Sequence, residues 1–394
     1  MPSVTIGFVP RERFSLAARS LQSILEHTPP PFHLIVVDGN IPERYRREMD
    51  EVLRRFASVE LIRRDHYLRP NQSKNLVVAA ARDQYLCLIE NDVLVAPGWL
   101  DHLIAACEEH PAEVAVPLII EGPLNGGGVH FDELLGSVRE VETPAGQQLE
   151  ILPRTTRRER DRGTPRRTVQ FMEQHCLLFQ RRVFDRIGPF DEDLNTRDEI
   201  DLSLALYRAG AAVVFEPRCA VAYFPPFPPN QDELPYFFFK WDLERAAASR
   251  ERIREKWNLT ACPGDLEFVK DRNRIGSLHA LRKEIEDLLA PTESFILVDG
   301  GSIRGTEAVA GLPLHSFLEK DGEYWGPPAD DDQAIQELER MRRGGAEYIG
   351  FAWPAFWWFD HYGKFRDHLR ASYSQVIAND HLVAYDLRRP AGVG

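Results

Sequence analysis

Three acidic groupings in this 394-residue chain have the side chains and spacing to do chemistry. Glu90-Asn91-Asp92 closes the apolar run from Tyr85 to Ile89. Two carboxylates one residue apart at a strand end lie on the same side of a turn. That suits a divalent cation bridging a diphosphate, because Mg²⁺ and Mn²⁺ take oxygen ligands and share them with substrate phosphates. Asx-turn chemistry is the competing use of Asn and Asp at such a place. Asp38 closes a second run, Leu34 to Val37. The third grouping, Asn195-Thr-Arg-Asp-Glu-Ile-Asp201, opens a helix. Thr196 and Glu199 have capping-box spacing, and acids in a first turn favour the helix dipole. On the residues alone capping outranks the alternative, Asp198 or Glu199 as a base that deprotonates an attacking hydroxyl. His175 is the next candidate base.

These groups need a frame that presents strand ends. Through about residue 120 the chain alternates apolar runs (Val4 to Val9, Leu34 to Val37, Val59 to Ile62, Tyr85 to Ile89, Val114 to Ile120) with helical spacing such as Ala17, Leu21 and Ile24. That alternation predicts a mainly parallel sheet covered on both faces, in which ligands bind beyond the carboxyl ends of the strands. Residues 121–168 break the pattern and read as a loop. They include the arginine-rich run Arg154 to Arg167, read as a solvated segment or an anion-binding flap. A strand is expected at Cys176 to Phe179, a helix over about Arg197 to Ala209 and a strand at Ala212 to Phe215. Prolines 225, 226, 228, 229 and 235 mark a border. The expected organisation is a domain over 1–230, a helical connector over 231–290 and a second, smaller α/β domain over 291–394. Eight aromatics between Tyr348 and Tyr362 read as core and interface, with a stacking surface as the alternative.

Composition narrows the function classes. With 43% hydrophobic residues and a formal net charge of −13, the chain has material for a core and lacks the basic surface of a general nucleic-acid binder. No apolar stretch is long enough to span a bilayer, which leaves peripheral membrane contact open. The five cysteines are dispersed and odd in number, so buried free thiols and a cytoplasmic location are expected. Dinucleotide, P-loop, nucleophile-elbow and zincin motifs are absent.

In order, these pieces resemble the family 2 type of inverting glycosyltransferases, which have the GT-A fold. The resemblance covers about residues 3–225. It is carried by Val36-Val-Asp-Gly-Asn40, Asn71-Gln-Ser-Lys-Asn75, Leu88-Ile-Glu-Asn-Asp-Val93, Arg182-Val-Phe-Asp-Arg-Ile-Gly-Pro-Phe-Asp191 and Asp198-Glu-Ile-Asp-Leu202 through Gly210. It implies a nucleotide-diphospho-sugar donor and a saccharide or other hydroxyl acceptor, with hexosyl transfer by metal-assisted in-line displacement. It assigns Asp38, Asn71, Lys74 and Asn91 to the nucleotide sugar, Lys74 near the diphosphate. It assigns Asp92 and Glu90 to Mn²⁺ or Mg²⁺, and Glu199, with Asp198 beside it, to the catalytic base. Three departures stand out: Glu90 opens the D-x-D position, the acidic pair reads Asp198-Glu199 instead of Glu-Asp, and Tyr223 stands near the place of the family's further metal-ligand His. The missing His and the altered acidic pair motivate the rival reading, a non-catalytic carbohydrate- or partner-binding protein on a degenerate scaffold. The C-terminal part looks like an accessory module fused to some bacterial glycosyltransferases.

Overall fold

The computed structural model describes residues 2–56, 58–131, 136–153, 165–225, 229–264, 266–320 and 323–388. Its contacts divide the chain into two compact units, Met1–Asn273 and Arg274–Gly394.

The strands of the first unit are β1 (Val4–Val9), β2 (His33–Gly39), β3 (Val59–Arg64), β4 (Tyr85–Glu90), β5 (Val93–Leu94), β6 (Val114–Glu121), β7 (Gly128–Phe131), β8 (Gly136–Thr143), β9 (Gly146–Pro153), β10 (Arg167–Val169), β11 (Cys176–Gln180) and β12 (Val213–Tyr223). Its helices are α1 (Ala17–His27), α2 (Glu43–Leu53), α3 (Pro70–Ala80), α4 (Trp99–Glu109), α5 (Phe184–Ile187), α6 (Asp198–Arg208), α7 (Leu234–Lys240) and α8 (Leu243–Lys256), followed by α9 (Glu267–Leu288), within which the division between units falls.

A ten-stranded sheet has the order β10-β12-β6-β11-β4-β1-β2-β3, with β5 against β12 and β7 against β6. β1, β2, β3 and β4 are parallel, and so are β6 and β12. β11 runs against both β4 and β6, so those six strands share one direction. All residues of β1 and β4 are buried, which explains their unbroken apolar runs. Gly7 is required in β1, because a Cβ there would collide with Val77 of α3. The α/β class with a mainly parallel sheet and a smaller second sheet is therefore the one observed.

Two sequence expectations fail for physical reasons. The stretch expected to be a loop contains β7 and the β8–β9 hairpin. In β8 only Val138 is buried, so no alternation marks it. β12 extends far beyond Phe215 because an irregularity between Glu216 and Ala220 absorbs Pro217, Arg218 and Cys219. The buried Glu216 at this irregularity pairs with Arg166 and Arg218. Of the arginine run, residues 154–164 lie outside the described residues. Arg166 is tied to Glu216 and Glu109, and Arg167 lies over the Phe215 ring, 4.9 Å from its centroid. All five cysteines are buried free thiols, and no described helix is long and apolar enough to cross a membrane.

The second unit has a five-stranded sheet. Its strands, with a separate two-stranded ladder, are β13 (Phe295–Val298), β14 (Leu314–Ser316), β15 (Glu319–Lys320), β16 (Glu323–Tyr324), β17 (Tyr348–Ala352), β18 (Ser374–Ala378) and β19 (Leu382–Asp386). The sheet order is β14-β13-β17-β19-β18, and β15 pairs β16. α10 (Asp331–Arg343), α11 (Trp358–His361) and α12 (Gly363–Ser372) complete it. Period-two alternation splits the strands between two cores: Ile296, Val298, Ile349 and Phe351 join one, and Phe295, Leu297, Tyr348 and Ala352 the other. The aromatic segment is mostly core: Phe351, Trp358 and Tyr362 are buried, with Phe356 and Phe359 packed on them, while Trp357 stays exposed.

Candidate active site

The carboxyl ends of β1, β4 and β12 lie at one edge of the sheet. Because β11 is antiparallel, its beginning arrives at that same edge. Cys176 pairs with Ile89, and the His175 carbonyl accepts a hydrogen bond from the Glu90 N–H at 3.0 Å. Asn91 ties β4 to the segment after β1. Its N–H donates to the Val9 carbonyl (3.1 Å), and its Oδ1 accepts the Arg11 N–H (2.7 Å). The Phe224 N–H donates to the Asp92 carbonyl, setting Tyr223 beside the acidic turn.

Glu90, Asp92 and His175 are all buried and offer ligand atoms within 4.8 Å of one another. His175 Nδ1 is 2.7 Å from Glu90 Oε2, and Arg11 Nε is 3.5 Å from the same oxygen. Burial opposes ionisation of Glu90, but Arg11 and His175 hold its carboxyl down to about 2. Burial also disfavours the charged imidazole of His175, yet Glu90 pulls its pKa above the ordinary value. Asp92 is fully buried and neither carboxylate oxygen has a hydrogen-bond partner. Burial, then repulsion from Glu90, pushes its carboxyl up to about 8. A buried carboxylate with both oxygens unpaired is costly without a cation. Two carboxylates and an imidazole are a donor set for Mn²⁺ or Mg²⁺, so the residues fit a divalent cation.

The Tyr223 ring stacks on His175 at a centroid distance of 3.8 Å. Both line a cavity with Arg11, Glu173, Asp198 and Glu199. The capping box expected from Thr196 and Glu199 is not formed. α6 begins at Asp198 with Arg197 as its N-cap, in the left-handed region at φ 63°, so Thr196 falls one residue early. Glu199 thus reaches the cavity wall outside any capping box, its carboxyl accepting its own backbone N–H. Burial, then the carboxylates of Glu173 and Asp198, push its carboxyl up to about 7. Asp198 goes the other way. Burial opposes ionisation, but Lys74, with Lys240 and Arg11, holds its carboxyl well below the usual carboxylate range.

Lys74 is 1% exposed, and its Nζ donates to Asp198 Oδ2 (2.6 Å) and to Gln174 Oε1. It is absent from the cavity lining, so the structure places it behind Asp198 and not at an open helix start. Removing one member of a buried pair leaves an uncompensated charge. Lys74→Met is expected to lower unfolding free energy by about 3–5 kcal/mol in a urea titration; an unchanged midpoint would show that Asp198 does not need its partner. Asp38 is also fully buried and engaged: Oδ1 accepts the Ile41 N–H (2.9 Å), and Oδ2 accepts from Arg46 Nε (2.8 Å) with Arg63 Nε at 3.4 Å. Asn71 Nδ2 donates to the Asp191 carbonyl while its Oδ1 is buried without a partner. Neither Asp38 nor Asn71 lines the cavity.

Arg11, Glu173, Lys240 and Arg272 line the cavity but carry no sequence motif. Arg11 had one faint signal, a charged residue two positions after the first strand.

A mainly parallel sheet with an acidic pair at a central strand end and a second acidic pair opening a nearby helix is the arrangement that the sequence resemblance to GT-A type domains leads one to expect. The family model described as glycosyl transferase family 2 matches residues 11–188 of the chain. The chain is 22% identical over 177 residues to the pre-mycofactocin glycosyltransferase of Mycobacterium tuberculosis, covering 45% of this chain and 34% of the relative. It is 21% identical over 255 residues to polypeptide N-acetylgalactosaminyltransferase 3 of Mus musculus, covering 62% of this chain and 39% of the relative. It thus spans well under half the length of these curated relatives. Among solved structures, GalNAc-T7 with UDP, GalNAc and Mn²⁺ superposes with a TM-score of 0.44 at 19% identity, covering 69% of this chain and 55% of that one. The S. aureus TarS 1–349 structure gives a TM-score of 0.41 at 15% identity, covering 65% and 70%.

Proposed function

We propose that the first unit transfers a sugar from a nucleotide-diphosphate sugar to an acceptor hydroxyl, with inversion and with a divalent cation at Glu90, Asp92 and His175. The observation that carries this is the convergence of those three side chains around the unpaired Asp92 carboxylate, with His175 lining the same cavity as Glu199. The family match and the names of the two relatives reported above, both glycosyltransferases, support the reaction class.

Glu199 is the base. Its carboxylate takes the acceptor hydroxyl proton, and the acceptor oxygen forms the new bond to the anomeric carbon. The bond from that carbon to the diphosphate oxygen breaks, and its electron pair leaves with the nucleoside diphosphate. A pKa near the working pH suits a group that must be unprotonated yet basic. Asp198, neutralised by Lys74, is the weaker base. A bound cation supplies charge stabilisation for the departing diphosphate. The chain's part is to hold its ligands: Asn91 fixes the acidic turn against Arg11, and Tyr223 fixes the His175 ring by stacking. His175, just before β11, brings an imidazole to the metal cluster, which favours catalysis over the non-catalytic reading. Lys74 supports the site from behind Asp198, and Asp38 and Asn71, outside the cavity lining, remain assigned to the nucleotide.

The deciding experiment is a screen of nucleotide sugars against a glycoside acceptor panel with Mn²⁺, reading released nucleoside diphosphate. Turnover with one donor and release of the inverted anomer is expected. Tight donor binding without turnover across the panel would favour the binding-protein reading.

A further inference from the structure

Part of the cavity wall comes from beyond the segment that matches the family. Trp241 follows α7, and Phe268 and Arg272 lie on the first turns of α9. Arg272 is half-buried. Its guanidinium carbon lies 4.6 Å from the Phe268 ring centroid and 5.6 Å from that of Trp241. The two rings meet edge to face at 5.5 Å. Aromatic faces hold a planar cation in one place and strip part of its hydration without cancelling its charge. Phosphate is recognised by the N–H edge of a guanidinium, so stacking and phosphate binding are compatible on one side chain.

Location supplies the second argument. Arg272 shares the cavity with Tyr223 and His175, the stacked pair at the metal cluster. Burial lowers its pKa, and Tyr223, Glu12 and Glu121 act against that, which places it in the field of the same end of the site. The remaining charge balance calls for another cation there. Two carboxylates offset a dication, which leaves the negative charge of a departing nucleoside diphosphate to be met by the protein.

We propose that Arg272 binds the diphosphate of the nucleotide substrate and shares with the divalent cation the charge that builds on the leaving group. This rests on the glycosyl-transfer reading above. It assigns a substrate contact to a helix outside the matched segment.

The test is calorimetric titration of UDP, GDP, ADP, CDP and inorganic pyrophosphate, each with Mn²⁺, into the full chain. Wild type is expected to bind at least one nucleoside diphosphate. Arg272→Gln is expected to weaken that binding, and pyrophosphate binding, tenfold or more, with Mn²⁺ affinity and melting temperature unchanged. Should the Gln variant fold poorly, Arg272→Met keeps an apolar stem on the two rings and is read the same way. Equal affinity in wild type and variant would overturn the role of Arg272 and leave glycosyl transfer standing. Absence of any nucleoside diphosphate binding by wild type, with or without Mn²⁺, would overturn both.

Discussion

Asp92→Asn is expected to abolish most turnover while leaving the protein as stable as wild type or more so. The two effects have one cause. The wild-type carboxylate is fully buried, unpaired and repelled by Glu90, which pushes its carboxyl up to about 8 from an ordinary 3.8. A carboxyl whose folded pKa is raised costs stability as pH climbs from its unfolded value towards its folded one. At pH 7.5 and without metal, Asn removes that cost, so the variant melts at or above wild type. Mn²⁺ reverses the order. A cation at a hundred times its Kd adds about 2.7 kcal/mol to the form that binds it, an upward shift of several degrees in wild type. Asp92→Asn, which lacks the charge, is expected to shift little. Losing the cation's stabilisation of the leaving group costs several kcal/mol of barrier, roughly three orders of magnitude in rate. Full wild-type activity in excess chelator, unchanged by Asp92→Asn, would dismiss the metal and move leaving-group stabilisation to Arg11 and Arg272.

What the sequence revealed of this site follows from how each group reaches it. Glu90 and Asp92 are legible because they sit at the carboxyl end of a fully apolar strand, where a parallel sheet presents its ligands. His175 precedes its strand, and a residue before a strand lies at the opposite edge of a parallel sheet. Only the reversed direction of β11 brings it to Asp92, and direction is a property of pairing that no local pattern records. Lys74 shows the same gap. Its place near the start of α3 suggested an open phosphate site, yet tertiary packing buries it against Asp198, 124 positions away. The β8–β9 hairpin was invisible because both of its faces are largely polar. Arg272 carries no motif; its role depends on Phe268, one turn earlier, and on Trp241, which is brought beside it by folding. The strands, their order of alternation and the acidic ends were readable, while contacts between distant segments were not.

Glu199 is where the structure changes the expectation most, because helix capping no longer competes with catalysis for it. With Arg197 as N-cap, and with Gln keeping an oxygen for the residue's own backbone N–H, Glu199→Gln is expected to melt within a few degrees of wild type. Turnover is expected to fall by roughly 10²–10⁴-fold, the usual contribution of a positioned base. The pH profile separates this from a structural effect. Burial and the carboxylates of Glu173 and Asp198 push Glu199 up to about 7. A base works deprotonated, so wild-type kcat/KM is expected to fall about tenfold per pH unit below roughly pH 7 and to level above it. The Gln variant is expected to lose that acid limb. Asp198→Asn gives the contrasting result: it strips Lys74 of its buried counter-charge, so its main loss is stability, on the order of 3–5 kcal/mol, with the acid limb retained in whatever protein stays folded. If Asp198→Asn instead folds normally and loses turnover while Glu199→Gln keeps it, the base is Asp198. If both keep wild-type rates with a verified donor and acceptor, neither carboxylate takes the proton, and Glu173 on the same cavity wall is the next group to replace.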